Sequence, residues 1–366
     1  MNNPALLQRR RSVLGQGGLL TGSGGIAASG RRKHLVMTPV KIAVALLLAA
    51  CSCAPALAGP EDGKNGKGGG QARSSKAKSP SPETKAKSSS PEKKEDVDTE
   101  HLFGFTEGTD AGEKGQQEVV FDSVSRIGKR RAGPGPSHSR AFDARLGYQF
   151  DPIDRLSVEF SAFGTLHRVR TIADLDDKAF GTFDGASIDV KYQFVKGSAE
   201  QPVGFALEVR PRFTRILPIE GNGADVFDLE TLAQVDVQIV PNKLWYGSNV
   251  SFEPAVGRQR GSGEGYRSST IVWSNALVGE VADKTYLGPE LRYQRGYDGA
   301  FLNRLESEAL TLGPALHHRF TEKAWITLAY AGQIWGRDAD PAFARRALGL
   351  GQFERHAVRL KLGLEF

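Results

Sequence analysis

From Gln117 to its last residue the chain alternates apolar and polar positions in runs of roughly ten residues, each closed by a break. In "AFDARLGYQF", Phe142, Ala144, Leu146, Tyr148 and Phe150 share one side, with Asp143, Arg145 and Gln149 on the other. "ASIDVKYQF" repeats the pattern, setting Ile188, Val190, Tyr192 and Phe194 against Asp189, Lys191 and Gln193. In "LETLAQVDVQIV" Leu229, Val235, Val237 and Ile239 oppose Glu230, Gln234, Asp236 and Gln238. A strand sends successive side chains to opposite faces, so this period of two predicts strands with one apolar and one polar surface. Comparable stretches around 117–129, 155–168, 203–214, 244–256, 269–281, 285–294, 310–320, 324–336 and 353–366 bring the expected number to twelve. No helical period is sustained after residue 116.

The breaks differ in length in a regular way. Asp151 to Asp154, Pro241 to Lys243, Ala282 to Lys284 and Thr321 to Lys323 are short, and Val195 to Pro202 is somewhat longer. Between them lie longer segments such as "LPIEGNGADVFD", "GRQRGSGEGY" and "RDADPAFARRALGLGQ". Short turns at one rim and long loops at the other are the pattern of a transmembrane antiparallel β-barrel. The fold expected is therefore all-β, a barrel of about twelve strands over 117–366, with both ends at the short-turn rim. Phe150, Phe194, Tyr246, Phe320, Trp325 and Phe366 fall near the short turns and are expected to form an interfacial aromatic girdle.

Composition then separates the leading segment from the barrel. Of 48 Lys and Arg and 42 Asp and Glu, the first hundred residues hold 16 and 8, leaving 32 and 34 for the remainder. The basic excess thus belongs to the leader, and the folded part shows no footprint for nucleic acid. Residues 37–58 read as a signal peptide: Lys41, an apolar run from Ile42 to Ala50, then Ala56-Leu57-Ala58, with cleavage between Ala58 and Gly59. Residues 1–36 read as a non-native extension of the start. "LLAAC" also has the look of a lipobox at Cys51. Both cysteines lie within the leader, so a cleaved chain carries no thiol for a disulfide or a metal. Residues 59–100 are rich in Lys, Ser, Pro and Gly and nearly free of large apolar side chains, the composition of a disordered linker. Residues 101–116 are expected to be either a periplasmic lead-in or a plug.

Parity assigns the lumen. The inward acids expected are Asp143, Glu159, Asp189, Glu208, Glu230, Asp236, Glu253, Glu290 and Glu365. The inward bases are Arg145, Arg155, Lys191, Arg210, Arg212, Arg292, Arg319, Arg359 and Lys361. A ring of one sign would argue for an ion-selective pore; this balance argues for paired ladders across the lumen. Arg210 and Arg212, one lumen step apart, are the leading candidates for contact with an anion.

The signal peptide and the final strand "HAVRLKLGLEF" resemble bacterial outer-membrane β-barrels. In that class the last strand and its C-terminal aromatic are read by the assembly machinery, which the resemblance carries onto Leu360, Leu362, Leu364 and Phe366. "HLFGFTEGTDAGEKG" (101–115) is similar to the opening of an uncharacterised proteobacterial, porin-like barrel family. The resemblance implies insertion in the outer membrane, against lipid and lipopolysaccharide. A fold does not name an activity, however. Enzymatic outer-membrane barrels use a His-x-Ser motif or an Asp-x-His pairing, and neither is present. His317 and His318 are adjacent on a strand and point to opposite faces, so they make no metal pair. "DLDDKAFGTFDG" (174–185) lacks the spacing of a calcium loop and reads as solvated loop. No cofactor, metal or catalytic residue is expected. The function expected is a narrow channel for passive transport of small hydrophilic solutes. A closed structural or adhesive barrel is the alternative, and a barrel-wall hydrolase is remote.

Overall fold

The computed structural model describes residues 97–130, 138–172, 175–198, 200–340 and 347–366. The expected extension, signal peptide, cleavage point at Ala58 and Gly59, and the linker up to residue 96 lie outside the described residues. The strands, in chain order, are β1 Gln117–Ile127, β2 His138–Ile153, β3 Leu156–Arg170, β4 Lys178–Val195, β5 Val203–Ile216 and β6 Gly223–Val240, followed by β7 Leu244–Gln259, β8 Gly265–Ala282, β9 Thr285–Asp298, β10 Arg304–Thr321, β11 Ala324–Asp338 and β12 His356–Glu365. Each pairs antiparallel with its neighbours in sequence, and β12 pairs with β1 to close the barrel. In that seam Phe121 lies opposite Leu362 and Val124 opposite Arg359. Closure leaves no sheet edge with unpaired backbone groups, which is what allows strands to cross a bilayer.

The short-turn rim is built from tight connections such as Asp154-Arg155, Asp283-Lys284 and Glu322-Lys323. Arg155 (φ 69°), Asn242 (φ 54°) and Lys284 (φ 53°) adopt the left-handed region that such turns require. Side-chain placement inverts that of a soluble protein. Phe160, Ile188, Phe194, Trp273, Phe320 and Leu328 are exposed on the outer surface. Glu159, Asp189, Lys191, Gln193, Asp236 and Glu290 are buried inside. An apolar belt outside and a polar interior, alternating along every strand, define a transmembrane β-barrel.

Three expectations need correction. Trp325 belongs to the lumen rather than to the outer girdle: it stands opposite Gly363 in the β11–β12 pair and is only 3% exposed. Phe150, Phe194, Phe320 and Phe366 do face outward. Arg155 is an exposed turn residue at the rim and takes no part in the lumen. Lys178 to Gly185 are the start of β4, so most of the stretch expected to be a solvated loop is strand.

Candidate functional site

The barrel is not empty. Residues 97–116 fold back into the short-turn half of the lumen before β1 begins, and the last four residues assigned by composition to the linker belong to this insertion. Thr99, Leu102, Phe103, Thr106 and Thr109 are each at most 2% exposed. Glycines make the fit possible. A Cβ at Gly104 would collide with Ala329 and with Glu290, and one at Gly108 with the Thr99 carbonyl. Wall glycines answer them: a Cβ at Gly204 would meet Thr109 and Asp236, and one at Gly247 would lie 2.8 Å from the Phe103 ring.

Two wall carboxylates hold the insertion. Glu290 on β9 accepts the backbone N–H groups of Gly104 at 2.8 Å, Phe105 at 2.7 Å and Thr106 at 3.3 Å. Asp236 on β6 accepts the Thr99 hydroxyl at 2.6 Å, the Thr109 N–H at 2.9 Å and the Thr109 hydroxyl at 2.8 Å. Ion pairs add to these: Lys191 reaches Glu100 at 2.7 Å, and Glu107 lies 3.5 Å from both Arg210 and Arg359. Leu102 and Phe103 pack on Trp245, Ala276, Val278 and Tyr286, a small apolar core formed jointly by insertion and wall. Burying each of the two large side chains contributes about 1.5–3 kcal/mol.

His101 stacks on Trp325 with ring centroids 4.0 Å apart, and its Nε2 lies 2.9 Å from Glu118 Oε2. Burial pushes the His101 imidazole down to about 4. Glu100, His101 and Glu118 bring potential metal-ligand atoms within 4.8 Å of one another. Lys191 and Gln149 already donate to the Glu100 oxygens, and Trp325 Nε1 donates to Glu118 at 2.6 Å. These bonds account for the carboxylates without an ion.

Many of the inward charges pair with one another. Arg210 is a hub, with Nε 2.7 Å from Asp189, Nη1 2.9 Å from Glu230 and Nη2 bonded to Glu208. Arg212 binds Asp228 and Glu253. Arg145 joins Glu159 and Asp189, Asp143 accepts from Arg126, and Arg359 donates to Asp122. Arg319 lies 3.5 Å from Glu365 and donates to the Glu322 carbonyl. Arg210 and Arg212 are thus saturated by carboxylates, which removes the case for them as an anion ladder. Lys361 lines a void of about 40 Å³ beside Glu107 and Asp122, enough space for water.

Above the insertion, on the long-loop side, lies a chamber of about 460 Å³ whose lining includes Phe105, Arg145, Arg210, Arg359 and Arg292. Arg292 stands apart from the other arginines here. Its guanidinium lies over the Phe105 ring at 4.7 Å, with no ion pair or hydrogen bond among the described residues. His167 also lines this chamber, stacked on Phe180, while His317 is engaged with Thr327, His318 with Thr285 and His356 with Tyr330.

Glu118 and Asp122 share the inward face of β1 with the apolar Val120, and Trp325 is an aromatic on the inward face of β11, so polar–apolar alternation does not mark them as lumen residues. A signal was available instead in the lumen glycines 147, 204, 247 and 363, which mark where a wall makes room.

Residues 95–366 match the model of a family of unknown function, DUF6662. The chain belongs to that family. No curated protein matches it. Among solved structures, this DUF6662 barrel is similar to an outer membrane channel of Pseudomonas putida F1, with 15% identity, TM-score 0.48, and coverage of 70% of this chain and 98% of that one. The NanC porin gives 11% identity, TM-score 0.39, and coverage of 68% and 98%. The translocator domain of the autotransporter NalP from Neisseria meningitidis gives 12% identity, TM-score 0.40, and coverage of 70% and 91%.

Proposed function

We propose that the protein is a bacterial outer-membrane channel for small hydrophilic solutes, held shut at rest by residues 97–116. The observation that carries this reading is the division of the lumen. A charged chamber of about 460 Å³ is separated from the short-turn rim by a segment that is not part of the wall. That segment is attached by hydrogen bonds and ion pairs, which water can replace when it moves, and by one small apolar cluster. In this reading the long loops face outward and the apolar belt meets outer-membrane lipid and lipopolysaccharide. The strand bearing Leu360, Leu362, Leu364 and Phe366 engages the assembly machinery during insertion, after export through the leader.

A second reading is favoured by the charge pairing. A lumen in which Arg145, Arg210, Arg212 and Arg359 are each neutralised also suits a closed structural barrel. Conductance in planar bilayers separates the two, using the full chain with cysteines at Thr109 and Gly204. These positions touch across the insertion–wall boundary. The channel reading expects opening transitions under reducing conditions and their loss on oxidation. Silence in both states, and in a variant with Asp236 and Glu290 replaced by alanine, leaves the structural reading when the barrel is shown to be folded by heat-modifiable gel mobility.

A further inference from the structure

Among the described residues, Arg292 is a cation held inside a membrane barrel with no carboxylate within ion-pair distance. Each of the other arginines lining the chamber has at least one carboxylate within ion-pair distance: Arg126 has Asp143, Arg145 has Asp189, Arg210 has four acids, Arg212 has Asp228, and Arg359 has Asp122. Arg292 has none, and its shielded Nε lacks a hydrogen-bond partner among the described residues. A buried charge with no partner is costly, and an unpaired ionisable group at membrane depth marks a place where a ligand supplies the missing charge.

The surroundings specify that ligand. One face of the guanidinium is occupied by Phe105 at 4.7 Å, so a ligand must approach the edge, where the N–H groups form a planar fork. A carboxylate matches that fork with two parallel hydrogen bonds. Gln294 is one lumen step outward on the same strand, and the Phe353 ring lies against Gly296, offering an amide and an apolar wall. A chamber of about 460 Å³ is the size of a site for a small organic molecule. Glu354 lines the same chamber without pairing with Arg292 and opposes an anion.

We infer that the long-loop chamber is a binding site for a small organic carboxylate, with Arg292 as its anchoring cation and Phe105 and Phe353 as its apolar contacts. The inference deepens the channel reading by naming the class of solute, and it rests on that reading for its biological sense. It also gives the insertion a second role, because Phe105 is the tip of residues 97–116 and forms part of the site.

The test is isothermal titration calorimetry of the full chain refolded in non-ionic detergent, with benzoate as the probe and benzyl alcohol as its neutral counterpart. Benzoate is expected to bind, benzyl alcohol to bind at least ~10-fold more weakly, and Arg292→Gln to lose benzoate by a similar factor. Equal binding of the two probes, or Arg292→Gln binding benzoate as tightly as the native chain, would overturn the assignment. Should Arg292→Gln fail to fold, Glu354→Gln decides: tighter benzoate binding upholds the site, and unchanged binding overturns it. Binding is read without any membrane current. Binding with silent bilayers therefore removes the channel and keeps the site, while conductance without binding does the reverse.

Discussion

The two halves of the lumen are made of the same materials and do opposite things with them. In the short-turn half, Asp236 and Glu290 each accept three hydrogen bonds from the insertion, and Lys191 meets Glu100. In the long-loop half, beyond Phe105, the wall carries charges of both signs around a chamber in which, among the described residues, no acid pairs with Arg292. Strand alternation supplies inward charges equally to both. What differs is whether a second piece of chain, rich in glycine, is available to satisfy them. Polarity facing inward is therefore compatible with a closed barrel and with a binding chamber, and the partner of each charge decides between them.

The comparison breaks most completely if the filled half can be emptied. Replacing Asp236 and Glu290 together with alanine removes six hydrogen bonds to the insertion. Bonds to charged groups are worth roughly 1.5–3 kcal/mol each and are not additive, so a loss of several kcal/mol in seating is expected. A cysteine placed at Thr106, which is fully buried, reports it. Maleimide labelling is expected to accelerate by at least ~100-fold in the double variant, while the barrel keeps its heat-modifiable mobility. Unchanged labelling would mean that the apolar cluster around Phe103 alone retains the segment.

The second test contrasts two arginines. Arg210→Gln leaves Glu208 and Glu230 without an ion partner among the described residues, with Asp189 and Glu107 keeping only Arg145 and Arg359, and breaking a buried network of this kind costs about 3–5 kcal/mol. Arg292→Gln breaks no pair and is expected to cost less than ~1 kcal/mol. Urea unfolding of the refolded barrels measures both. Equal losses would show that Arg292 is structural after all.

How much of this could be read from the chain follows from the same contrast. The strands, their number, the alternation of turns and loops and the inward acids and bases are local properties with a period of two, and they are visible in stretches such as "AFDARLGYQF". The β1–β12 seam adds one long-range contact, implied only by the need to remove edges. What lay beyond local reading was partnership. Arg210 and Arg292 look alike as inward arginines on strands. Only the assembled lumen shows four acids around the first and a phenyl ring beneath the second. The choice between lead-in and plug for residues 101–116 was equally hidden, because nothing local in a polar glycine-rich stretch decides it until its amides are seen meeting Glu290. The clue was in the wall, where Gly204 and Gly247 replace side chains with space.

A smaller effect isolates that space. Gly247→Val places methyl groups where the Phe103 ring lies, since the Cβ alone would sit 2.8 Å from it. Overpacking of this kind costs about 1–3 kcal/mol. The cost should fall on the insertion, so labelling at a Thr106 cysteine is expected to accelerate while the urea midpoint stays close to native. Gly265→Val serves as the control, because a Cβ there meets nothing within 4 Å. A shift in the urea midpoint for Gly247→Val would place the strain in the wall and blur the distinction between wall and insertion.

The finest prediction concerns acid. His101 is neutral in its seat, with burial holding it at about 4, against about 6.5 for an imidazole in water. A histidine whose value is depressed in the seated state favours seating fully above its solvated value and loses that advantage as pH falls. The window therefore runs from about 6.5 down to about 4. Burial raises the carboxyl of Glu100 on the same insertion, which favours seating as pH falls and so opposes His101. The His101 share is therefore the difference between the native chain and a variant without the imidazole. It is on the order of tenfold between pH 7 and pH 5, read by maleimide labelling at a Thr106 cysteine corrected for thiolate fraction on an unfolded reference. His101→Phe keeps the ring stacked over Trp325 and removes the titration, at the loss of the contact with Glu118. That variant is expected to start from a higher labelling rate and to slow relative to the native chain as pH falls. A profile as steep as the native one would assign the acid response to the wall carboxylates, and the short-turn half would then owe its closure to the same kind of charge pairing that governs the chamber above it.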